Sequence, residues 1–391
     1  VYVREFDLEP ERGDDYIHPP RGCGDELDSF DYQSSKTNSG EHVDSATYKR
    51  ALSRMEDVYA AAKWQLQDDF LSEAHLDRVI DTVFKESKKK SPGAVLLREG
   101  CPTNEIVFQR YGKEGVKDML KRRLTALFET SDTRQVSDPL RIFIKEEAHK
   151  KAKAVEKRWR LIFGMSLIDQ LVDRLLYTSV CEAGIANCAD LPSKVGYNFK
   201  RGGVDGLVRK YSNGSKLWIS FDAKGFDLSC GEQLLCSSRE LNERLCVYDA
   251  SDDGARERFA KWRDLSVRRE QAVLYGSMVF SNGVVIQKTA PCIQPSGRYT
   301  TIDSNSKMVT FMRVYDDVAQ GRTTVPTEVV AMGDDTVQDG LPIRARLCNA
   351  SRRRGALPSR SSLSKDSSRT RTSAQWSSRS RRNPMSGCRC P

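Results

Sequence analysis

Apolar residues recur at helical spacing along much of the chain. Tyr48, Leu52, Met55, Val58 and Tyr59, then Leu76, Val79, Ile80 and Val83, fall three or four residues apart, which predicts two amphipathic helices within residues 46–90. The run Lys88-Lys89-Lys90-Ser91-Pro92-Gly93 closes the second. Residues 94–138 read as mixed, with a helix from Lys113 to Thr130, and residues 160–190 read as helical. The glycines from Gly196 to Gly206 read as a loop. Helices are expected over 231–275, interrupted by a turn at Ser251-Asp-Asp-Gly254, and over 300–320, with strands between 276 and 293. Two stretches leave the helical period. Lys216-Leu-Trp-Ile-Ser-Phe-Asp222 is rich in aromatic and β-branched residues and predicts a buried strand ending on Asp222. Residues 328–338 predict two short strands, Val329–Met332 and Thr336–Gln338, around a Gly-Asp turn. The sum is an α+β chain with a small sheet backed by helices.

The two ends lack such periodicity. Residues 1–45 are acidic and rich in Pro, Gly and Ser, and read as a linker or poorly ordered arm. Residues 350–391 are mostly Ser, Arg, Pro and Gly, too poor in large apolar residues to order themselves. Charge follows the same division. The formal net charge is +9, but residues 341–391 hold twelve Arg and Lys365 against Asp366, a net +12 that leaves −3 on residues 1–340. The body must therefore meet any polyanion through local patches.

The 391 residues suggest two or three coupled subdomains. No run of about 18 apolar residues occurs, so no transmembrane helix is expected. The eleven Cys are scattered apart from Cys388-x-Cys390, and none of the four His pairs with Cys at zinc-ligand spacing. Free thiols in a reducing compartment, without zinc, are the expectation. The start, Val1-Tyr-Val-Arg-Glu-Phe-Asp, has no apolar signal region, and the missing initiator Met fits release from a polyprotein.

The candidate chemistry lies in three ordered signatures. Asp222-Ala-Lys-Gly-Phe-Asp227 places two carboxylates with four residues between them. Ser296-Gly297-x-x-x-Thr301-x-x-x-Asn305 follows, and then Gly333-Asp334-Asp335 between two apolar strands. Each alone has an ordinary explanation: an Asp that ends a strand or caps a helix, a Ser-Gly turn, a solvated Asn. A second Gly-Asp-Asp, Gly13-Asp14-Asp15, lacks flanking strands and reads as a chance copy. The ordered set suits nucleotidyl transfer, in which two Mg²⁺ ions about 3.5–4 Å apart serve the attacking and leaving oxygens. Hard carboxylate oxygens on neighbouring strands meet that need. Asp222 and Asp334 are the expected metal ligands and catalytic residues, with Asp335 as a supporting one and Mn²⁺ as an alternative to Mg²⁺. Upstream, Lys145, Lys150, Lys151, Lys153, Lys157, Arg158 and Arg160 interleave with Phe143, Trp159 and Phe163, a basic run suited to phosphate contact.

Together these residues resemble positive-strand RNA virus RNA-dependent RNA polymerases, most like the sobemovirus and polerovirus type. The three signatures are similar to that family's palm motifs A, B and C. Lys145-Glu-Glu-Ala-His149, Lys157-Arg-Trp-Arg-Leu-Ile162 and Ser166-Leu-Ile-Asp-Gln170 resemble its motif F region. Ala148 stands where the family has Pro, and Leu228 where it has an aromatic residue. The resemblance implies that Lys145, Arg158 and Arg160 hold the incoming triphosphate, and that Asp227 and Asn305 sense the ribose 2′-hydroxyl. It implies that Ser296 and Gly297 form a flexible loop beside the nascent base pair, with Thr301 in the same motif. Asn305 and Met332 favour an RNA polymerase over a reverse transcriptase, which usually has an aromatic residue two before its paired Asp.

A right-hand organisation follows from the resemblance: fingers over 46–215, palm over 216–340 with 235–295 partly fingers, and a disordered tail over 341–391. The family's motif D Lys, motif E and helical thumb are not found after Gly340; the thumb is missing or replaced by the basic tail. Two alternatives to an intact enzyme stand beside this: a catalytically impaired fragment that binds RNA through its tail, or a tail read out of frame. Expected partners are RNA template and nascent RNA, NTPs, and viral replication proteins including a genome-linked protein. The expected location is host cytoplasm at a membrane-associated replication complex.

Overall fold

A computed structural model describes residues 15–19, 24–35, 43–200, 202–211, 218–223, 225–289, 291, 293–322 and 328–339. The Gly13-Asp14 pair and the Ser/Arg-rich residues 341–391 lie outside the described residues. Helix and sheet are mixed, as expected. The predicted helices appear as Ser45–Val58, Glu73–Ser87, Leu167–Ala186, Glu232–Arg244, Asp253–Tyr275 and Thr301–Ala319. Several begin on side-chain caps that satisfy first-turn amides: Asp44 accepts from Thr47 N, Ser72 from His75 N and Ser166 from Asp169 N.

One apolar cluster gathers the inward faces of these helices. Leu52, Met55, Ile80, Leu120, Leu171, Val172, Leu241, Trp262, Leu265, Phe311 and Val314 are among its buried members. Trp262 is fully enclosed, its indole N–H donating to Leu176 O at 2.8 Å. A smaller cluster of Phe30, Leu140, Ile142, Trp159, Phe163, Met278 and Phe280 lies against a four-stranded sheet. That sheet runs in the order Leu161–Gly164, Leu140–Ile144, Ser277–Val279, Val285–Gln287. Leu140–Ile144 is antiparallel to Leu161–Gly164 and parallel to Ser277–Val279. A second sheet orders Val329–Met332, Asp335–Asp339 and Trp218–Asp222, all antiparallel.

Four expectations change. The 160–190 region is not helical throughout, since Leu161–Gly164 is a strand with alternating burial. The helix expected from Lys113 begins at Asn104 and is broken at Gly112, whose φ of 67° is left-handed; the expected start marks its second segment. The loop expected over Gly196–Gly206 passes into a helix at Gly203–Tyr211. Within the arm expected over residues 1–45, Asp25–Ser34 is a helix whose Phe30 enters the smaller core.

Charged residues form a third kind of core. Arg269 is fully buried and donates to Asp173 Oδ1 at 2.9 Å, Asp169 Oδ1 at 3.0 Å and Ser137 Oγ at 2.6 Å. Arg298 reaches Asp173 Oδ2 at 3.3 Å and Glu270 Oε2 at 2.8 Å. Arg123 joins Asp138 at 2.7 Å and also contacts Asp169. Burial pushes the Asp169 carboxyl upward, but Arg269 and Arg123 outweigh it and hold the group below the usual carboxylate range. Arg269→Met would leave Asp169 and Asp173 partly unpaired in the interior, and is expected to cost about 3–5 kcal/mol. Urea unfolding checks this, and a loss below about 1 kcal/mol would show the array to be dispensable.

Candidate active site

The strand Trp218–Asp222 pairs with Asp335–Asp339 in a register that sets Asp222 opposite Asp335. Asp335 in turn faces Met332 across the hairpin, so Gly333 and Asp334 form its two-residue turn. Gly333 has a φ of 69°, the left-handed conformation such a turn demands. Its amide donates to Ser306 Oγ at 2.9 Å, fastening the turn to the Thr301–Ala319 helix. Asp334 is half-buried and Asp335 exposed at this turn. The Asp222 backbone is placed by the register, while its side chain lies outside the described residues.

Asp227 sits in the short helix Phe226–Ser229, just beyond that strand. Burial and then the nearby Asp334 carboxylate push its pKa up to about 7, opposed by the Arg160 guanidinium. One residue from each of three expected groups therefore shares one electrostatic site. The Asp227 carbonyl accepts from Gln294 N at 2.8 Å, which ties the site to the segment leading into Ser296-Gly297.

That Ser-Gly segment is bonded to the strand Leu161–Gly164. Phe163 N donates to Ser296 Oγ at 3.1 Å, and Gly297 N donates to Phe163 O at 3.1 Å. A Cβ on Gly297 would stand 2.7 Å from Phe163 O, so only glycine fits this approach. The Thr301 hydroxyl donates within its own turn, to Pro295 O at 2.8 Å and Arg298 O at 2.9 Å. Thr301 thus shapes the turn. Asn305 is buried one helical turn later, and its Oδ1 has no hydrogen-bond partner among the described residues.

The chain is 28% identical over 337 residues to the Replicase polyprotein P2AB of Southern cowpea mosaic virus, covering 82% of this chain and 33% of that protein. It is 28% identical over 240 residues to Protein P1-P2 of Potato leafroll virus, covering 56% of this chain and 21% of that one. Protein P2-P3 of Poinsettia latent virus is 29% identical over 218 residues, covering 51% and 18%. Its homologues are replicase polyproteins of the sobemovirus and polerovirus type. The chain spans about a third or less of the length of these curated relatives. No family model matches it.

The basic residues of this replicase homologue divide. Lys145 and Arg160 flank one acid, Glu147, at 2.7 Å and 2.9 Å, and Lys145 N also donates to Arg160 O at 2.8 Å. Hydrogen bonding from Lys145 lowers the Glu147 pKa. Arg160 is thereby held at the Asp227 end of the Leu140–Ile144 and Leu161–Gly164 strand pair. Arg158 pairs instead with Glu156 at 3.0 Å, and no described ion pair brings it to the aspartates. Among the described residues no three His, Cys, Asp or Glu side chains converge on a metal position. The acids still suit a hard cation: burial and then the Asp334 carboxylate oppose the ionisation of Asp227, so a positive charge beside the pair would be favoured.

Several supporting residues carried no readable signal. Ser306 anchors the Gly333 turn and Glu147 links Lys145 to Arg160. Lys194 is buried with its ammonium donating to Cys188 O at 2.9 Å and Ala189 O at 3.1 Å. Its segment extends the edge of the aspartate-bearing sheet: Lys194 N donates to Ala331 O at 2.8 Å and Ala331 N to Pro192 O at 3.0 Å. The bridge this makes between Ser193 and Ala331 is too brief to show in the periodicity of the sequence.

Gly297→Ala must displace the Phe163 backbone, and is expected to lower unfolding free energy by about 1–3 kcal/mol in a urea titration; an unchanged midpoint would show that the loop has room. The raised Asp227 pKa also fixes a pH dependence. The folded chain holds this proton more tightly than the unfolded chain, so the stabilisation is complete below the ordinary value of 3.8 and is lost as pH rises through about 7. Asp227→Asn lacks the group. Its stability relative to the parent should therefore rise between about pH 4 and about pH 8, and a pH-independent difference would reject the crowded-carboxylate geometry.

Proposed function

We propose that this chain carries the nucleotidyl-transfer centre of an RNA-dependent RNA polymerase that copies a viral RNA genome. The observation that carries the proposal is the convergence of Asp227, Asp334 and Arg160, beside a strand register that sets Asp222 against Asp335. The homology to replicase polyproteins supports the same reading. In this reading residues 216–340 form the palm, 46–215 the fingers, and 235–295 belong partly to the fingers.

Asp222 and Asp334, with Asp335 beside them, would hold Mg²⁺, or Mn²⁺ in its place. When bound, these ions supply activation of the RNA 3′-hydroxyl and charge stabilisation for the departing pyrophosphate. The chain's own residues do the positioning. Arg160 and Lys145 offer guanidinium and ammonium donors to a triphosphate once Glu147 is displaced, with Arg158 next along the same segment. Asp227 and Asn305 offer polar atoms to a ribose 2′-hydroxyl. The Ser296-Gly297 turn, pinned to Phe163, fixes the floor beneath the base pair. RNA template, nascent RNA and NTPs are the substrates. Other viral replication proteins, including a genome-linked protein, are proposed partners at a membrane-associated complex in host cytoplasm. No helix among the described residues is long and apolar enough to cross a membrane.

Asp334→Ala and Asp222→Ala are each expected to reduce Mg²⁺-dependent NTP incorporation on a primed RNA to background, with thermal unfolding close to the parent's. Incorporation that survives either substitution would remove the aspartates from the chemistry and sink the proposal.

A further inference from the structure

The Asp25–Ser34 helix is distant in sequence from every signature above, yet its polar contacts concentrate on one short segment. Trp159 N donates to Ser29 Oγ at 3.3 Å, and the same Ser29 hydroxyl donates to Lys157 O. Gln33 Nε2 donates to Trp159 O at 2.9 Å, and Trp159 Nε1 donates to Asp25 Oδ2 at 3.2 Å. Tyr32 OH donates to Glu156 Oε2 at 3.0 Å, and Lys157 Nζ to Asp28 Oδ2 at 2.6 Å. Residues 156–159 are thus gripped on backbone and side chains by a single helix. Ser29 is fully buried at this junction, and Phe30 anchors the helix edge-on to Phe280 at 5.7 Å.

The gripped segment needs an external hold. Lys157 has a φ of 49°, a left-handed conformation that side-chain-bearing residues rarely adopt, and it persists where surroundings enforce it. Lys157 directly precedes Arg158, Trp159 and Arg160, and Arg160 is the cation that acts on Asp227. A helix that fixes the Trp159 amide and carbonyl therefore fixes the direction in which the flanking arginines leave the chain.

We infer that the Asp25–Ser34 helix is a positioning brace for the nucleoside triphosphate site, acting through Ser29 and Gln33 on the backbone of Trp159 to orient Arg158 and Arg160. The inference rests on the polymerase reading for the identity of the ligand. Its physical content is that triphosphate affinity depends on two residues that do not touch the ligand.

The test compares the parent chain with Ser29→Ala and Gln33→Met, each also made in an Arg158→Ala, Arg160→Ala background. Circular dichroism and thermal unfolding identify folded variants. Amide hydrogen exchange follows residues 157–160, and a fluorescent nucleoside triphosphate and a single-stranded RNA serve as binding probes. Primed incorporation gives KM and kcat. Both variants are expected to lose protection at Trp159 and to bind triphosphate about three- to tenfold more weakly. KM should rise with kcat and RNA affinity unchanged. In the background lacking both arginines the further loss should vanish, since the brace acts through them. Unchanged protection, unchanged triphosphate affinity, or a loss that persists without the arginines would each reduce the helix to a cover for the small core and overturn the brace. A parent that incorporates while the variants match it overturns the brace alone. A parent that neither binds nor incorporates overturns the polymerase reading and takes the brace with it.

Discussion

The array formed by Arg269, Arg298 and Arg123 with Asp169, Asp173, Asp138 and Glu270 is the constraint on which the site depends. Buried ions are tolerated only when each finds its partners, so the array permits few arrangements of the segments that supply it. Those segments are the helices Asn104–Glu129, Leu167–Ala186 and Asp253–Tyr275, the stretch at Asp138 before the strand Leu140–Ile144, and the turn at Arg298. Arg298 directly follows Gly297. The Ser-Gly turn is therefore tethered on one side by charge, through Asp173 and Glu270, and on the other by the Phe163 backbone. Apolar packing alone is forgiving of small shifts; a shared carboxylate with two arginines is not.

Electrostatics in the site itself run the other way. There the Asp227 pKa rises because burial and Asp334 both oppose its ionisation. Asp169 is buried and Asp227 half-buried, yet arginines hold the first low, while burial and then a second acid push the second up. Acids that oppose one another's ionisation create a local demand for positive charge. Arg160 meets part of that demand from one side, while Glu147 pairs with both Arg160 and Lys145.

Much of this was legible in the sequence, for identifiable reasons. The strand ending on Asp222 and the hairpin around Gly333 carry dense β-branched and aromatic residues and a turn that needs a positive φ, both local signals. The helices of the main core show their period directly. The misreadings share a cause in tertiary contact. Leu161–Gly164 alternates in burial only because Leu140–Ile144 pairs with it, and the basic residues before it and the helix that starts at Leu167 mask a strand of four residues. Asp25–Ser34 carries few apolar residues, and its stability comes from Phe30 and from polar contacts to residues more than a hundred positions away. Partners such as Arg269 and Asp173, 96 residues apart, leave no spacing to detect.

What the sequence could not convey is how the site's parts are fastened to one another. Order along the chain predicts that the signatures meet, but not how tightly. Three short linkages supply the answer: the Asp222–Asp335 register, the Gly333 amide on Ser306, and the Ser296-Gly297 turn on Phe163. Each joins a different pair of elements, and none duplicates another. A slip of one residue in the strand pairing would turn every side chain on that strand to the opposite face. The turn's bond to Ser306 resists such a slip, because moving the hairpin would strand a buried amide whose desolvation has no other compensation. Sheet register and helix contact therefore enforce each other, and the carboxylates are held as a set rather than one at a time.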